Sequence, residues 1–283
     1  NSAMRSSYRP ARHGTPPSLA LLMCRPRHYT IAYEINPWMR VTRQVTQPVA
    51  ARQWQALYDL LTRRLRVPIK LVRPVKGLPD LVFTANAGLV AGGTFVRTNF
   101  RHPERRGEEA IFERYFRQRG YRVVTLPRQF NFEGEGDALS VGETVFLGFR
   151  FRSDATVHER LAQILRRRVL PLELVDKRFY HLDTCFCPLD TTSALWYPGA
   201  FDRYGRKVIE TNVPDPVPVS TADALKFCCN ALVIDRRVIL HRGVSRPLRK
   251  ELERRGFEMV ELGLSEFLKA GGSAKCLALH LPR

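Results

Sequence analysis

Four stretches of this chain carry side chains that can do chemistry together. The segment Lys269-Ala270-Gly271-Gly272-Ser273-Ala274-Lys275-Cys276 ends in a thiol. Two glycines let backbone approach a ligand closely, and the flanking lysines are expected to lower the thiol pKa and raise its thiolate fraction. Cys276 is therefore a candidate nucleophile. His181 and Asp183 stand two apart in Tyr180-His181-Leu182-Asp183. On a strand that spacing points both side chains the same way, an imidazole and a carboxylate facing one pocket. Phe132-Glu133-Gly134-Glu135-Gly136-Asp137 is a glycine-spaced acidic turn. Carboxylates so close repel unless they are solvated or share a cation, and the spacing is not that of an EF-hand. Asn86, in Phe83-Thr84-Ala85-Asn86, adds an amide that both donates and accepts.

These residues recur at one place in a repeated pattern. Pairs of apolar segments flank short turns: 87–90 and 94–97 around Gly92-Gly93, 138–141 and 144–148 around Gly142-Glu143, 186–189 and 194–197 around 190–192, 231–234 and 238–241 around Asp235-Arg236. Each reads as a β-hairpin. Their spacing is roughly 45 to 50 residues, within the range of repeat architectures. Helical periodicity follows the first, second and fourth at 107–117, 155–167 and 246–255. Short strands then close those units at 122–126, 169–174 and 257–262. The third unit is expected to depart from the order, because Pro214, Pro216 and Pro218 exclude a regular helix over 208–220. An opening unit has a strand at 19–24, an amphipathic helix at 50–66 and a strand at 69–72, and 276–281 can supply its missing hairpin partner. About five ββαβ units would then close as a ring, with the termini meeting. Asn86, Glu133, Asp137, His181, Asp183 and Cys276 all lie just before hairpins, so a ring would gather them near its axis.

Bulk properties narrow the classes. An apolar content of 44% in 283 residues suits one globular domain, and no apolar run approaches the ~18 residues of a membrane span. Asn1-Ser2-Ala3 reads as a cloning scar, and the residues to Pro17 as a disordered basic arm, leaving 18–283 as the folded domain. Six cysteines without a secretory signal point to a reducing, cytoplasmic setting. Cys185, Cys187, Cys228 and Cys229 lack zinc-site spacing and read as buried apolar residues. A net charge of +19 invites nucleic acid. The basic clusters are scattered, however, without an aromatic stripe or a zinc-finger or RRM signature.

Taken together and in order, the four motifs resemble the guanidine-modifying superfamily of arginine deiminases, dimethylarginine dimethylaminohydrolases and amidinotransferases. The resemblance implies a single-domain α/β fold, a five-fold pseudosymmetric propeller (pentein), with no metal and no cofactor. It makes Cys276 the nucleophile toward a guanidinium carbon, His181 the proton-transfer group, Glu133 its orienting carboxylate and Asp183 a guanidinium ligand. Asp137 joins the substrate-facing set. Asn86 departs from the carboxylate that deiminases and dimethylaminohydrolases carry. This resembles the subgroup of arginine dihydrolases that form the N-terminal part of some cyanobacterial enzymes. There arginine is carried through to ornithine, ammonia and carbon dioxide. Glu34-Ile35-Asn36-Pro37-Trp38-Met39 also looks like that subgroup, placing Asn36 at the site. Arg105 and Arg152 are implied clamps for a substrate carboxylate, which suits an amino acid such as L-arginine or a close analogue. The alternatives are a deiminase or dimethylaminohydrolase stopping at citrulline, and a catalytically inactive, basic nucleic-acid-binding protein on the same fold.

Overall fold

Every hairpin signal in the sequence becomes an antiparallel strand pair, and each pair gains a third, parallel strand. The computed structural model describes residues 19–282, so the expected basic arm and its leading Asn1-Ser2-Ala3 lie outside the described residues. Five three-stranded sheets result. The first sets β1 (Leu19–Cys24) between β2 (Ile69–Val72) and β15 (Leu279–Pro282). The second is β3 (Gly88–Ala91), β4 (Thr94–Arg97) and β5 (Arg122–Val124). The third is β6 (Ala138–Val141), β7 (Thr144–Phe149) and β8 (Arg168–Glu173). The fourth is β9 (Phe186–Pro188), β10 (Ser193–Trp196) and β11 (Asp215–Pro218). The fifth is β12 (Leu232–Ile234), β13 (Arg237–His241) and β14 (Glu258–Leu262). In each sheet the hairpin pair is antiparallel and the return strand parallel, as a crossover connection requires. β15 packs beside β3, and β6 beside β9.

Turn chemistry explains the registers. Gly92, Gly142 and Asp235 each open a two-residue turn with positive φ. The longer β9–β10 turn is held by Asp190, whose Oδ1 accepts from the backbone of Thr192 at 2.9 Å and of Ser193 at 2.8 Å.

The crossover helices follow the expected periodicity, with two differences. α1 (Gln47–Asp59) buries Ala50, Trp54 and Leu57, then ends in a π-turn at Leu60–Arg64 where a helix to residue 66 was expected. α2 (Gly107–Arg117) buries Phe112 and Phe116, and Phe116 stacks on Phe95 at 3.7 Å. α3 (Val157–Leu165) stops where Arg166 turns left-handed. α4 (Arg203–Asn212) corrects the expectation for the third unit: the order is kept, because the helix ends before the prolines. Pro216 and Pro218 lie in the edge strand β11. Asp215 and Val219 donate toward β10, to Thr192 and Trp196 carbonyls at 3.0 and 2.9 Å. The prolines alternate with these donors, so their missing N–H groups fall on the open edge. α5 (Thr221–Ala224) is one turn capped by Ser220, α6 (Arg246–Arg254) is capped by Ser245, and α7 (Ser265–Leu268) precedes the glycine turn.

Among the described residues no helix is long and apolar enough to cross a membrane. All six cysteines are unpaired and buried. Cys185, Cys187, Cys228 and Cys229 pack in one core with Phe186 and Leu195, as expected of small apolar residues. Replacing Phe112 by Ala should cost about 3–5 kcal/mol in chemical denaturation, by loss of transfer energy and creation of a cavity. A cost below about 1 kcal/mol would mean that α2 is not anchored through this ring.

Candidate active site

Short 3-10 turns lead into three of the hairpins, at Thr84–Ala87, Gly134–Gly136 and Leu182–Thr184, and they touch one another. Their contact brings Asn86, Glu133, Asp137, His181 and Asp183 together, all buried. Asp183 therefore lies in a 3-10 turn and not on a strand, which differs from the expected geometry while keeping it in the pocket with His181. Gly136 makes the approach possible: a Cβ there would lie 2.3 Å from Asn86 Nδ2 and 3.3 Å from the His181 ring. Cys276 arrives from the other end of the chain, in the turn before β15. Its backbone carbonyl accepts from Ala85 at 3.2 Å.

The acidic turn does not stay together as one charge cluster. Its carboxylates separate to three different sets of partners. Glu133 accepts from Arg152 Nη1 at 2.9 Å, from the Arg101 backbone at 3.2 Å, and meets His181 Nε2 at 2.7 Å. Glu135 binds Lys275 Nζ at 2.8 Å and His280 Nδ1 at 2.9 Å. Asp137 accepts from Ser153 Oγ at 2.6 Å and from the Leu182 backbone at 3.0 Å. Asp137 is thus spent on holding the His181–Asp183 turn. Burial works against the Glu133 anion, but Arg152 and His181 outweigh it and hold the carboxyl well below its usual range. Burial lowers His181 to about 4 despite the pull of Glu133, since Arg152 and Arg105 also oppose a second cation. The imidazole is neutral at pH 7. Pairing of Nε2 with Glu133 leaves Nδ1 as its free nitrogen, and Nδ1 is buried without a partner.

The thiol sits opposite. Cys276 Sγ lies 3.3 Å from Asp183 Oδ2 and 3.2 Å from Asn230 Nδ2. Asp183 Oδ1 is buried and unpartnered. Burial pushes Asp183 up to about 7, against the pull of Lys275, Cys276 and Asn230. An imidazole nitrogen and an oxygen of the carboxyl that meets the thiol therefore lack partners, and buried polar atoms left so call for a ligand that donates hydrogen bonds.

The remaining expected residues are close by but already engaged. Arg105 is buried and forks onto Glu108 at 2.9 and 2.8 Å, and its Nη1 donates to Asn86 Oδ1 at 2.8 Å. It orients Asn86 rather than standing open as a carboxylate clamp. Arg152 reaches the Ile35 carbonyl at 3.0 Å and lies over the Tyr180 ring at 4.7 Å. Together with Asn36, His102, Lys177 and Tyr180 it lines a cleft of about 420 Å³ that forms the mouth of the site. The Asn36 side chain itself ties the mouth to the glycine turn, donating to the Ala270 carbonyl at 3.0 Å and accepting from the Trp38 backbone at 2.9 Å.

A model of the family "N,N dimethylarginine dimethylhydrolase, eukaryotic" matches residues 30–282. The chain belongs to this family. Within the family's wider relations it is 47% identical over 268 residues to the bifunctional arginine dihydrolase/ornithine cyclodeaminase AgrE of Nostoc, covering 93% of this chain and 38% of that protein. It is 42% identical to the dimethylarginine dimethylaminohydrolase of Mycobacterium tuberculosis, covering 96% and 88%. The solved N-terminal domain of ArgZ, covalently bound to a reaction intermediate, superposes with a TM-score of 0.88 at 44% identity, covering 93% of this chain and 97% of that one. The chain thus spans little more than a third of the length of the bifunctional relative. The family's fold is a single mixed α/β domain, as expected.

For this family member, two findings were not anticipated from sequence. One is Asn230, which contacts the thiol and lies immediately before the fifth sheet's hairpin. It occupies the same place in its unit as the other site residues, and that was the available signal. The other is the direction of the flanking lysines. Lys275 is turned away to Glu135, and Lys269 binds Glu266 at 2.8 Å and the Gln44 carbonyl at 3.0 Å. Neither activates the thiol. Burial and the neighbouring Asp183 instead raise Cys276 well above the ordinary thiol value of 9.0. Alkylation of Cys276 by iodoacetamide in the ligand-free protein should accordingly be slow at pH 7 and climb beyond pH 9. A fast, pH-independent reaction near neutrality would show a preformed thiolate.

Proposed function

We propose that this chain is an arginine dihydrolase, converting L-arginine and two waters to ornithine, two ammonia and carbon dioxide through a covalent intermediate on Cys276. One observation carries the reading: Asp183, whose Oδ2 lies 3.3 Å from the Cys276 thiol, keeps its Oδ1 buried without a partner, and so does His181, two residues before it, at Nδ1. A guanidinium supplies in-plane donors to such acceptors. Its charge also offsets the burial that raises Cys276 and Asp183 above their ordinary values. The cation is thereby recruited to its own activation: on entry it favours the Asp183 carboxylate, any proton held there passing to bulk water, and the Cys276 proton passes to His181 Nδ1.

The steps balance with one thiol, one imidazole and water. Sγ bonds to the guanidinium carbon. The imidazolium, steadied by Glu133, returns its proton to the departing nitrogen, and the carbon–nitrogen bond breaks to release ammonia. Water then adds to the same carbon, with His181 taking its proton. Breaking the carbon–sulfur bond frees the thiol and gives citrulline. In a second round Sγ adds to the ureido carbon, a second ammonia leaves, and water releases a carbamate that loses carbon dioxide to give ornithine.

Asn86 selects this outcome over arrest at citrulline. Its oxygen is engaged by Arg105 at 2.8 Å, and its nitrogen makes a long 3.5 Å contact to the Glu133 carbonyl, which leaves a second N–H to donate to a neutral ureido oxygen. A carboxylate there could not donate. The second reading, a dimethylaminohydrolase or deiminase, uses the same thiol, imidazole and carboxylates, and is favoured by the family model and the mycobacterial relative. Related structures fit the leading reading: the ArgZ N-terminal domain has been solved bound to substrate and to product, and an AgrE variant with L-arginine. Arg152, shared between Glu133 and this cleft, and His102 and Lys177 beside it in the lining, are read as the group that would receive the substrate carboxylate. Glu133, Asp137, Arg105 and Asn36 position the groups that react.

The five sheets are read as one ring, the five-module propeller, with the first strand of each hairpin innermost. Identical strand order in each unit, neighbouring pairs β15–β3 and β6–β9, and converging pre-hairpin turns support that closure. Residues 18–283 form the catalytic domain, and six unpaired thiols suit the cytoplasm.

Product analysis tests the function. L-Arginine should give ornithine with two ammonia per turnover, and Cys276→Ser should abolish turnover while keeping the fold. Citrulline as the end product would move the chain to the second reading. Asn86→Asp should shift product toward citrulline; an unchanged product ratio would remove Asn86 from the choice.

A further inference from the structure

We infer that Asn230 is a catalytic residue, one of whose amide N–H groups stabilises the Cys276 thiolate while its oxygen fixes the turn that delivers the sulfur. The inference rests on Cys276 being the nucleophile. Asn230 is fully buried. Its Nδ2 donates to Cys276 Sγ at 3.2 Å and to the Asp183 carbonyl at 3.0 Å. Its Oδ1 accepts from the Ser273 backbone at 2.8 Å and from the Cys276 backbone at 3.3 Å. These four contacts use the whole capacity of an amide, two donors and two acceptor lone pairs. They also define its orientation. Turning the amide over would set N–H groups against two backbone N–H donors, and an oxygen against the Asp183 carbonyl.

The chemistry around the sulfur gives this contact its importance. Asp183 faces Sγ and opposes the anion. Lys275 holds its ammonium on Glu135, on the far side of the turn. The Tyr180 hydroxyl donates to the Gly271 carbonyl at 2.8 Å, and the His181 ring is paired through Nε2 with Glu133. Among the described residues, Asn230 is the side chain that donates to Sγ. A donor aimed at the place where charge develops is worth most in a dry site. The same side chain joins Asp183, which would hold the guanidinium, to Cys276, which would attack it.

The test separates stabilisation of the anion from support of the fold. Asn230→Asp keeps an oxygen for the Ser273 and Cys276 N–H groups and removes the fixed amide donor. Asn230→Ala removes both. For each, kcat and KM for L-arginine, the thermal midpoint, and the pH dependence of Cys276 alkylation are measured beside Cys276→Ser. Loss of a hydrogen bond to a charged group predicts a roughly ten- to hundredfold fall in kcat, with KM changed less than about threefold. The alkylation limb should move upward by about one to two pH units in both variants. A shift in the Ala variant alone would still support the role, with a protonated acid substituting for the amide. A wild-type alkylation limb and kcat in both variants would overturn it, even with a lowered thermal midpoint. If Cys276→Ser retains turnover, the reading of the site fails first; if only the Asn230 variants behave as wild type, this inference fails alone.

Discussion

A carboxylate buried at the centre of the molecule must be neutralised or it will not stay ionised, and Glu133 is held in that state by Arg152. Separating either ion from water costs several kcal/mol, recovered only with short, well-directed contacts. The 2.9 Å pair with Arg152 and the 2.7 Å contact with His181 supply them. The consequence reaches beyond the pair. Because Arg152 already balances Glu133, the imidazole is not forced to carry a proton at rest. Glu133 can still favour the imidazolium when catalysis transiently makes one. Arg152 in turn spans to the 35–36 loop, so the device that sets the charge of His181 also shapes the mouth of the cleft.

Charge is distributed in opposite senses at the centre and at the surface. The chain as a whole carries +19, and many of its arginines sit in partly exposed ion pairs such as Arg117–Glu113 and Arg254–Glu251, which contribute little to stability. At the centre, Asp80 and Glu133 are buried against Arg105 and Arg152, and Asp137 and Asp183 are buried as well. A cation repelled at long range therefore meets carboxylates and unpartnered acceptors once inside, where low dielectric strengthens every contact. Salt screens the surface field far more than the buried one.

Much of the architecture was legible because turns and periodicity are local. Gly92-Gly93, Gly142-Glu143 and Asp235-Arg236 each mark a two-residue hairpin, and the site residues share one position ahead of such hairpins. The prolines of the third unit argue locally against the repeated order, but the helix ends ahead of them and an edge strand accommodates them on its unpaired side. What sequence could not give was direction. Lys275 neighbours Cys276 yet points to Glu135, and the thiol is left protonated in a buried setting. Arg105 looked available, although Glu108, one helical turn onward, was there to claim it. Asn230 carries no motif of its own in the sequence, although the repeat rule that selects Asn86 and His181 selects it equally.

The covalent route through Cys276 is the claim on which the chemistry stands. Its most direct measurement is intact and peptide mass analysis of the protein quenched in acid during turnover of L-arginine. A fraction of the chain should carry arginine less one ammonia, attached at Cys276 and absent from Cys276→Ser. Steady turnover with no adduct under any quench time, or an adduct confined to another cysteine, would contradict nucleophilic attack by this thiol.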